Sequence, residues 1–345
     1  MTTSDFTVVA MMREPRDIVA RFVAYYRQLG AVRIQIYFDG DAGDVRDLAC
    51  EDVEILVCDD QLLDRVGARR DDAVEQRQWA IALHAFRALR TEWMLFVDAD
   101  EYVFGDRPMR EFLGAIPPGD DVVRLPTAEA VWRRSDGAEA PFSSTAFRCC
   151  LPARWAPLRR LIYLRHCSFF SWRGLIGHAE GKQFIRKGAK IDRLTCLHAL
   201  SNVRPVGRWA SQINPEFRHF YLGHFDAIGL DHWREKWRRR HTGEAVYITM
   251  SAARRRQMAI VGQALGRGCR ASRRLFRRLY GLTPVQFAVL RLLGCAFQRD
   301  IFGEMGVAPT TKPAPDSHTS AGLAKGIPHR RCDQPHEKSA QTAPN

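Results

Sequence analysis

The chain has 345 residues, 46% of them hydrophobic, with 52 Lys+Arg against 39 Asp+Glu. That apolar content supports one large domain or two small ones and excludes a chain disordered throughout. The net charge of +13 hides an asymmetry: residues 1–130 carry 15 Arg, no Lys and 25 acids, and residues 131–345 carry 37 basic residues and 14 acids. The sequence therefore joins an acidic half to a basic half and is not a uniformly basic protein.

The first hundred residues alternate strand and helix. Phe6 to Met12 is an apolar run suited to a buried strand. Pro15 opens a helix whose Ile18, Phe22, Tyr25, Tyr26 and Leu29 follow helical spacing, with Gly30 as its stop. Val32 to Phe38 and Val53 to Cys58 read as strands, Asp71 to Arg90 as a helix with an acidic first turn, and Trp93 to Val97 as a fourth strand. Repeated β-α units with strands apolar on both faces imply a parallel sheet covered by helices. Ligands bind such sheets at the carboxyl ends of the strands, which puts Asp39 and Asp98 on the functional rim.

Farther on, Val122 to Leu125, Phe142 to Cys149 and Ile191 to Leu197 are candidate strands. The aromatics Trp132, Trp155, Phe169, Phe170 and Trp172 suit an acceptor cleft or a core. Residues 233–303 are helical in pattern, and residues 234–278 hold 14 Arg/Lys against Glu235 and Glu244. Such helices lie on an anionic membrane surface, bind nucleic acid or anionic polysaccharide, or pack on the domain with a solvated basic face. Neither zinc-finger spacing nor a convincing recognition helix favours DNA. From Pro309 onward the composition is that of a disordered tail.

No apolar stretch approaches the ~20 residues of a membrane span. Met1 to Phe6 shows no basic segment with an apolar run behind it, and the nine cysteines have no C-x-x-C spacing. The expectation is a cytoplasmic protein with reduced thiols, with peripheral contact at the inner membrane face through residues 234–280 as the alternative to a solvated face packed on the domain.

The sharpest motif is Asp98-Ala99-Asp100-Glu101, directly after the strand Trp93 to Val97. Two carboxylates thrown into one small volume repel unless a cation sits between or beside them. Hard oxygen ligands suit Mg²⁺ or Mn²⁺, which in turn hold a diphosphate. The plainer reading is a solvated acidic loop or a helix cap. A metal-dependent phosphoryl-transfer or hydrolytic enzyme could use the same motif, although no G-x-x-x-x-G-K-[ST] loop is present. A non-catalytic protein that binds an anionic surface is the third class.

In order along the chain stand Met12-Arg13-Glu14, Tyr25-Tyr26 with Leu29-Gly30, Tyr37-Phe38-Asp39, Gln76, and Trp93 through Tyr102. Gly177-His178-Ala179-Glu180-Gly181-Lys182, Leu197-His198, His224-Phe225 and Trp233-Arg234-Glu235-Lys236 follow. Over residues 6–245 this series resembles the bacterial glycosyltransferase family 2-like proteins of GT-A fold, the group related to glycosyltransferase family 92. The resemblance implies an α/β, Rossmann-like nucleotide-diphospho-sugar transferase fold: a GT-A domain over residues 1–250, a basic helical extension over 251–308 and a tail over 309–345.

It further implies transfer of a sugar from a nucleotide-sugar donor to a glycan, polysaccharide or lipid-linked acceptor. Asp98 and Asp100 would hold Mn²⁺ or Mg²⁺ and neutralise the diphosphate. A histidine from the second half completes the metal shell, His198 first and His224 second, and the alternative for each is a buried structural histidine. Asp39 matches the carboxylate on the nucleoside, unless it only forms a turn. Glu14 is a further nucleotide-facing candidate, and Arg13 stands where the family usually has Asn. Lys182 and Arg186 are candidate diphosphate contacts or a solvated basic face. Inverting transfer needs a carboxylate base, for which Glu180 is the candidate, with Glu101 supporting the motif and Gln76 structural.

Overall fold

A computed structural model describes residues 4–134, 140–190, 208–243 and 252–307. The expected strand Ile191 to Leu197, His198 and the expected tail lie outside them. The chain opens with β1 (Phe6–Met12), α1 (Arg16–Gln28), β2 (Arg33–Phe38) and β3 (Val53–Val57). Next come α2 (Asp60–Val66), α3 (Val74–Arg87) and β4 (Trp93–Phe96). β1 and β4 are buried at every position, as their unbroken apolar sequence requires. The helix expected from Asp71 starts at Val74, because Asp72 accepts the Arg69 amide in a turn and Gln76 closes the first helical turn on the Ala73 amide.

After β4 the chain crosses into a second sheet. Next in the chain come β5 (Glu101–Phe104), α4 (Met109–Gly114), β6 (Val122–Leu125), β7 (Thr127–Arg133), β8 (Ala146–Cys149) and α5 (Arg159–Tyr163). There follow β9 (Lys182–Arg186), β10 (Arg208–Trp209), α6 (Ala210–Ile213), β11 (Tyr221–His224) and α7 (Leu230–Thr242). The last stretch contains α8 (Ala252–Gly266), α9 (Cys269–Tyr280), β12 (Gly281–Leu282), α10 (Pro284–Leu292), β13 (Ala296–Gln298) and α11 (Ile301–Glu304).

The first sheet has the order β10-β6-β9-β4-β1-β2-β3, parallel except for β9. The expected α/β class with a mostly parallel sheet, in which β4, β1, β2 and β3 lie side by side in Rossmann-like order, is therefore the one observed. The second sheet runs β13-β8-β7-β11-β5, with β12 on β7. Residues 252–307, expected as a helical extension, supply two of its strands. They also place Phe302 against Tyr25 and Tyr102.

The basic helices are anchored by aromatics. Trp233 and Trp237 of α7 pack with Phe276 and Tyr280 of α9 in one buried cluster. Truncating either fully buried tryptophan to alanine costs about 3–5 kcal/mol. Of the aromatics noted in the sequence, Trp132, Phe169 and Phe170 belong to this core, while Trp155 and Trp172 are exposed.

Candidate functional site

The carboxyl ends of β1, β2 and β4 open onto one cleft of about 370 Å³, within the roughly 300–1,000 Å³ typical of small-molecule sites. Arg13 and Glu14 follow β1, Asp39 follows β2, and Asp98 and Asp100 follow β4; all five line it. β9 runs antiparallel, so its first residue, Lys182, lies at this same end of the sheet. β11 brings His224 into register between Glu101 of β5 and Glu129 of β7. Lys236, Arg239 and Arg240 of α7 and Arg254 of α8 close the cleft with positive charge.

The four residues between β4 and β5 are where the chain leaves one sheet for the other. Asp98 faces the first sheet. Its Oδ1 accepts from Gln78 Nε2 at 3.0 Å and its Oδ2 pairs with Lys182 Nζ at 3.0 Å. The fully buried Lys182 also lies 3.1 Å from the equally buried Glu101, which accepts the Asp98 amide at 2.9 Å. Burial penalises the Lys182 ammonium, but Asp98 and Glu101 outweigh that penalty and raise its pKa.

Asp100 faces the second sheet. Its Oδ2 lies 2.7 Å from Lys236 Nζ and 3.9 Å from His224 Nε2. Lys236 Nζ also reaches Asp226 Oδ1 at 3.2 Å. Burial favours protonation of Asp100 and Asp226, but Lys236 and then His224 override it and hold both carboxyls below the ordinary range, Asp226 the more strongly.

Ligand atoms of Asp100, His224 and Asp226 all lie within 4.8 Å of one another. Two hard oxygen donors and an imidazole form a set that can hold a divalent cation. Nε2 of His224 is the ring nitrogen that faces Asp100, and Nδ1, on the Gly177 side, is buried without a hydrogen-bond partner. Asp98, expected as a ligand, lies outside this set: Gln78 and Lys182 take its two oxygens.

Asp226 was not singled out by the sequence. The available signal was His224-x-Asp226 at a strand end, a spacing that brings alternate residues to one side. Glu129 is a second omission. With Arg148 it forms a fully buried pair at 2.9 Å, and it accepts the amides of Ile176 and Gly177 at 3.0 and 2.5 Å. This fixes Gly177 beside the His224 ring, where a Cβ on residue 177 would come within 3.0 Å of it. Gly181 turns the chain into β9 with φ +66°, where a Cβ would fall 1.8 Å from the Leu125 carbonyl.

Three expected residues do not line the cleft: Lys182, expected as a diphosphate contact, is fully buried behind Asp98, and Glu180 and Arg186 lie away from it. Glu180 is exposed and does not line it; its carbonyl accepts from Arg124. Arg186 ends β9, four residues and about 13 Å of strand from Lys182. There it is opposite Trp93, pairs with Glu92 and donates to the Ile116 carbonyl. An antiparallel strand cannot present both its ends to one site. Asp39 is held by Arg77 at 2.7 Å and Glu14 by His232 at 3.0 Å, both at the cleft.

No protein-family model matches the chain, and no curated protein matches it. Solved structures do. Glucosyl-3-phosphoglycerate synthase from Mycobacterium tuberculosis, in complex with Mn²⁺, UDP and phosphoglyceric acid, is 13% identical at TM-score 0.28, over 53% of this chain and 56% of that one. TarS 1–349 from S. aureus in complex with UDP is 12% identical at TM-score 0.29, over 53% and 47%. HddC from Yersinia pseudotuberculosis is 11% identical at TM-score 0.25, over 38% and 61%. The chain thus spans about half to three fifths of these structures, and similarity this low carries no argument about activity.

Proposed function

We propose that the chain is a metal-dependent glycosyltransferase related to glycosyltransferase families 2 and 92. It would move a sugar from a nucleotide-sugar to a glycan, polysaccharide or lipid-linked acceptor, in the cytoplasm. The observation that carries this reading is the Asp100–His224–Asp226 set at the carboxyl end of a parallel sheet, in a cleft that also holds Arg13, Arg239, Arg240 and Arg254. A carboxylate-imidazole donor set ringed by guanidinium groups suits a diphosphate bridged to a cation.

Asp100, His224 and Asp226 would hold Mn²⁺ or Mg²⁺. When bound, the ion would supply charge to stabilise the nucleoside diphosphate as leaving group. The chain's own residues do the rest. Asp39, fixed by Arg77, offers a carboxylate to a ribose or base edge at the nucleotide end of the cleft. The cleft arginines orient the phosphates. Glu129 and Arg148 fix the loop at Gly177 against His224 and so set the imidazole. The transfer is expected to invert the sugar, with a carboxylate lining the cleft taking the acceptor's proton.

The test is a thermal-shift panel of nucleotide-sugars with and without Mn²⁺, followed by donor hydrolysis. A donor should raise the melting temperature only with the ion, and Asp100→Ala should remove both the shift and the turnover. Failure of every nucleotide-sugar to bind or hydrolyse would refute the reading. Turnover of nucleotide-sugars and simple phosphate esters alike would move it to phosphoryl hydrolysis.

A further inference from the structure

The basic residues noted in the sequence do not share one fate. In α7 they turn toward the cleft or pair locally, as Arg238 does with Glu235. In α9 they form a face. Arg270, Arg273, Arg274, Arg277 and Arg278 recur at i, i+3, i+4, i+7 and i+8, and with Arg134 they line a shallow depression. The opposite side of the helix is Leu275, Phe276, Leu279 and Tyr280, all buried. Among the described residues no carboxylate pairs with Arg270, Arg273, Arg274 or Arg278. Burial, then the charges of Arg165, Arg274 and Arg134, hold Arg278 below the usual arginine value. Like charges crowd along this face.

Beside this face lies exposed apolar surface. α10 follows α9 directly through β12, and its Val285, Val289 and Leu292 form an i, i+4, i+7 stripe. Val285 and Leu292 are 72% and 88% exposed. Leu161 and Leu164, before Arg165, are 72% and 65% exposed. Gln286 of α10 donates to the Ile162 carbonyl at 2.7 Å, which ties the two apolar segments together. Large exposed aliphatics gathered in one place mark an interaction surface.

We propose that the arginine face of α9, with the apolar side chains of Val285, Leu292, Leu161 and Leu164 beside it, docks the protein on an anionic phospholipid bilayer. The arginines match headgroup phosphates, and the aliphatic side chains enter the acyl boundary. Nucleic acid takes the arginines but leaves the aliphatics unexplained, since its bases stack on aromatics. A second copy of the chain docked here would bring two arginine faces of like charge together. Among the described residues no helix is long and apolar enough to cross a membrane, so the attachment is peripheral. It is independent of the transferase reading, because binding is measured without donor or metal.

The experiment is sedimentation of the full chain with vesicles of phosphatidylcholine alone or with ~30% phosphatidylglycerol. The protein should bind the anionic vesicles at least about tenfold more tightly, and salt near 1 M should release most of it. Arg273→Gln with Arg274→Gln should weaken binding roughly 30-fold, about fivefold for each charge. Val285→Gln with Leu292→Gln should weaken the binding that survives at high salt, with the circular-dichroism melt unchanged. If either pair misfolds, the salt release and lipid preference of the unaltered protein carry the test. Equal affinity for both vesicles, or none for either, overturns the proposal. So does insensitivity to the arginine pair, duplex DNA binding that depends on the arginines alone, or a dimer that the Leu292 change dissolves.

Discussion

Asp98 and Asp100 are two residues apart in one motif, yet each belongs to a different lysine cluster. Lys182 is fully buried between Asp98 and Glu101, and Gln78 takes Asp98's other oxygen. Lys236 instead reaches in from α7 to Asp100 and Asp226, beside the His224 ring. In the first cluster Lys182 and Glu101 are fully buried, and Asp98, its side chain one-third exposed, joins them to the cleft rim at the β4–β5 crossing. The second is open to the cleft, and its lysine stands where an ion would compete. The difference teaches that a D-x-D can divide its labour, one carboxylate structural and one available to a metal.

The hardest way to break that division is to remove Lys182. Lys182→Met leaves the fully buried Glu101 without its cation, while Asp98 keeps some solvent, and should cost about 3 kcal/mol in a urea melt, the low end for a broken buried pair. Adding Glu101→Gln should recover part of that loss. A cost below about 1 kcal/mol would show that the Lys182–Glu101 pair is solvated and that the comparison fails.

Removing Asp226 tests the open cluster. Asp226→Asn should weaken Mn²⁺ binding by about 10–100-fold in calorimetry, the scale seen when a metal's supporting groups are lost. The same variant has a pH signature. A carboxyl held below its unfolded value contributes stability that is complete above about pH 4 and is lost as pH falls through the folded value. The melting difference between the unaltered protein and Asp226→Asn should therefore shrink from pH 6 toward pH 3. Lys236→Met sharpens the point in the other direction. With the competing ammonium gone, Mn²⁺ should bind about tenfold more tightly, a change of roughly 1.4 kcal/mol. Unchanged affinity would mean that the ion and the lysine do not share a place.

What could be read from the sequence follows from what each signal depends on. β1 through β4 were legible because strands buried on both faces are written as local apolar runs. So was the rim, since Arg13, Glu14, Asp39, Asp98 and Asp100 each follow such a strand. β5 was not, because its first residue, Glu101, is a buried charge balanced by Lys182, 81 positions away. α2 was missed as a helix of only seven residues. Gln78 and Glu129 acquire roles only through pairings across sheets and helices that no local spacing encodes, whereas Asp226 carried a local signal only in its spacing from His224. Arg186 was placed at the site by its nearness in sequence to Lys182, and the direction of β9 removed it.

Glu180 gives the smallest expected effect and marks how far the cleft extends. It precedes the Gly181 turn, its side chain is exposed, and the hydrogen bond at that position uses its carbonyl. Glu180→Gln keeps that carbonyl and the side chain's shape. It should change stability by no more than about 0.5 kcal/mol, as surface substitutions do. Donor hydrolysis and transfer should stay within about twofold of the unaltered enzyme across the pH profile. A carboxylate that takes the acceptor's proton would lose far more, on the order of 10²–10⁴-fold. A loss of that size would bring the 177–181 turn into the reacting geometry and make the cleft larger than its present lining.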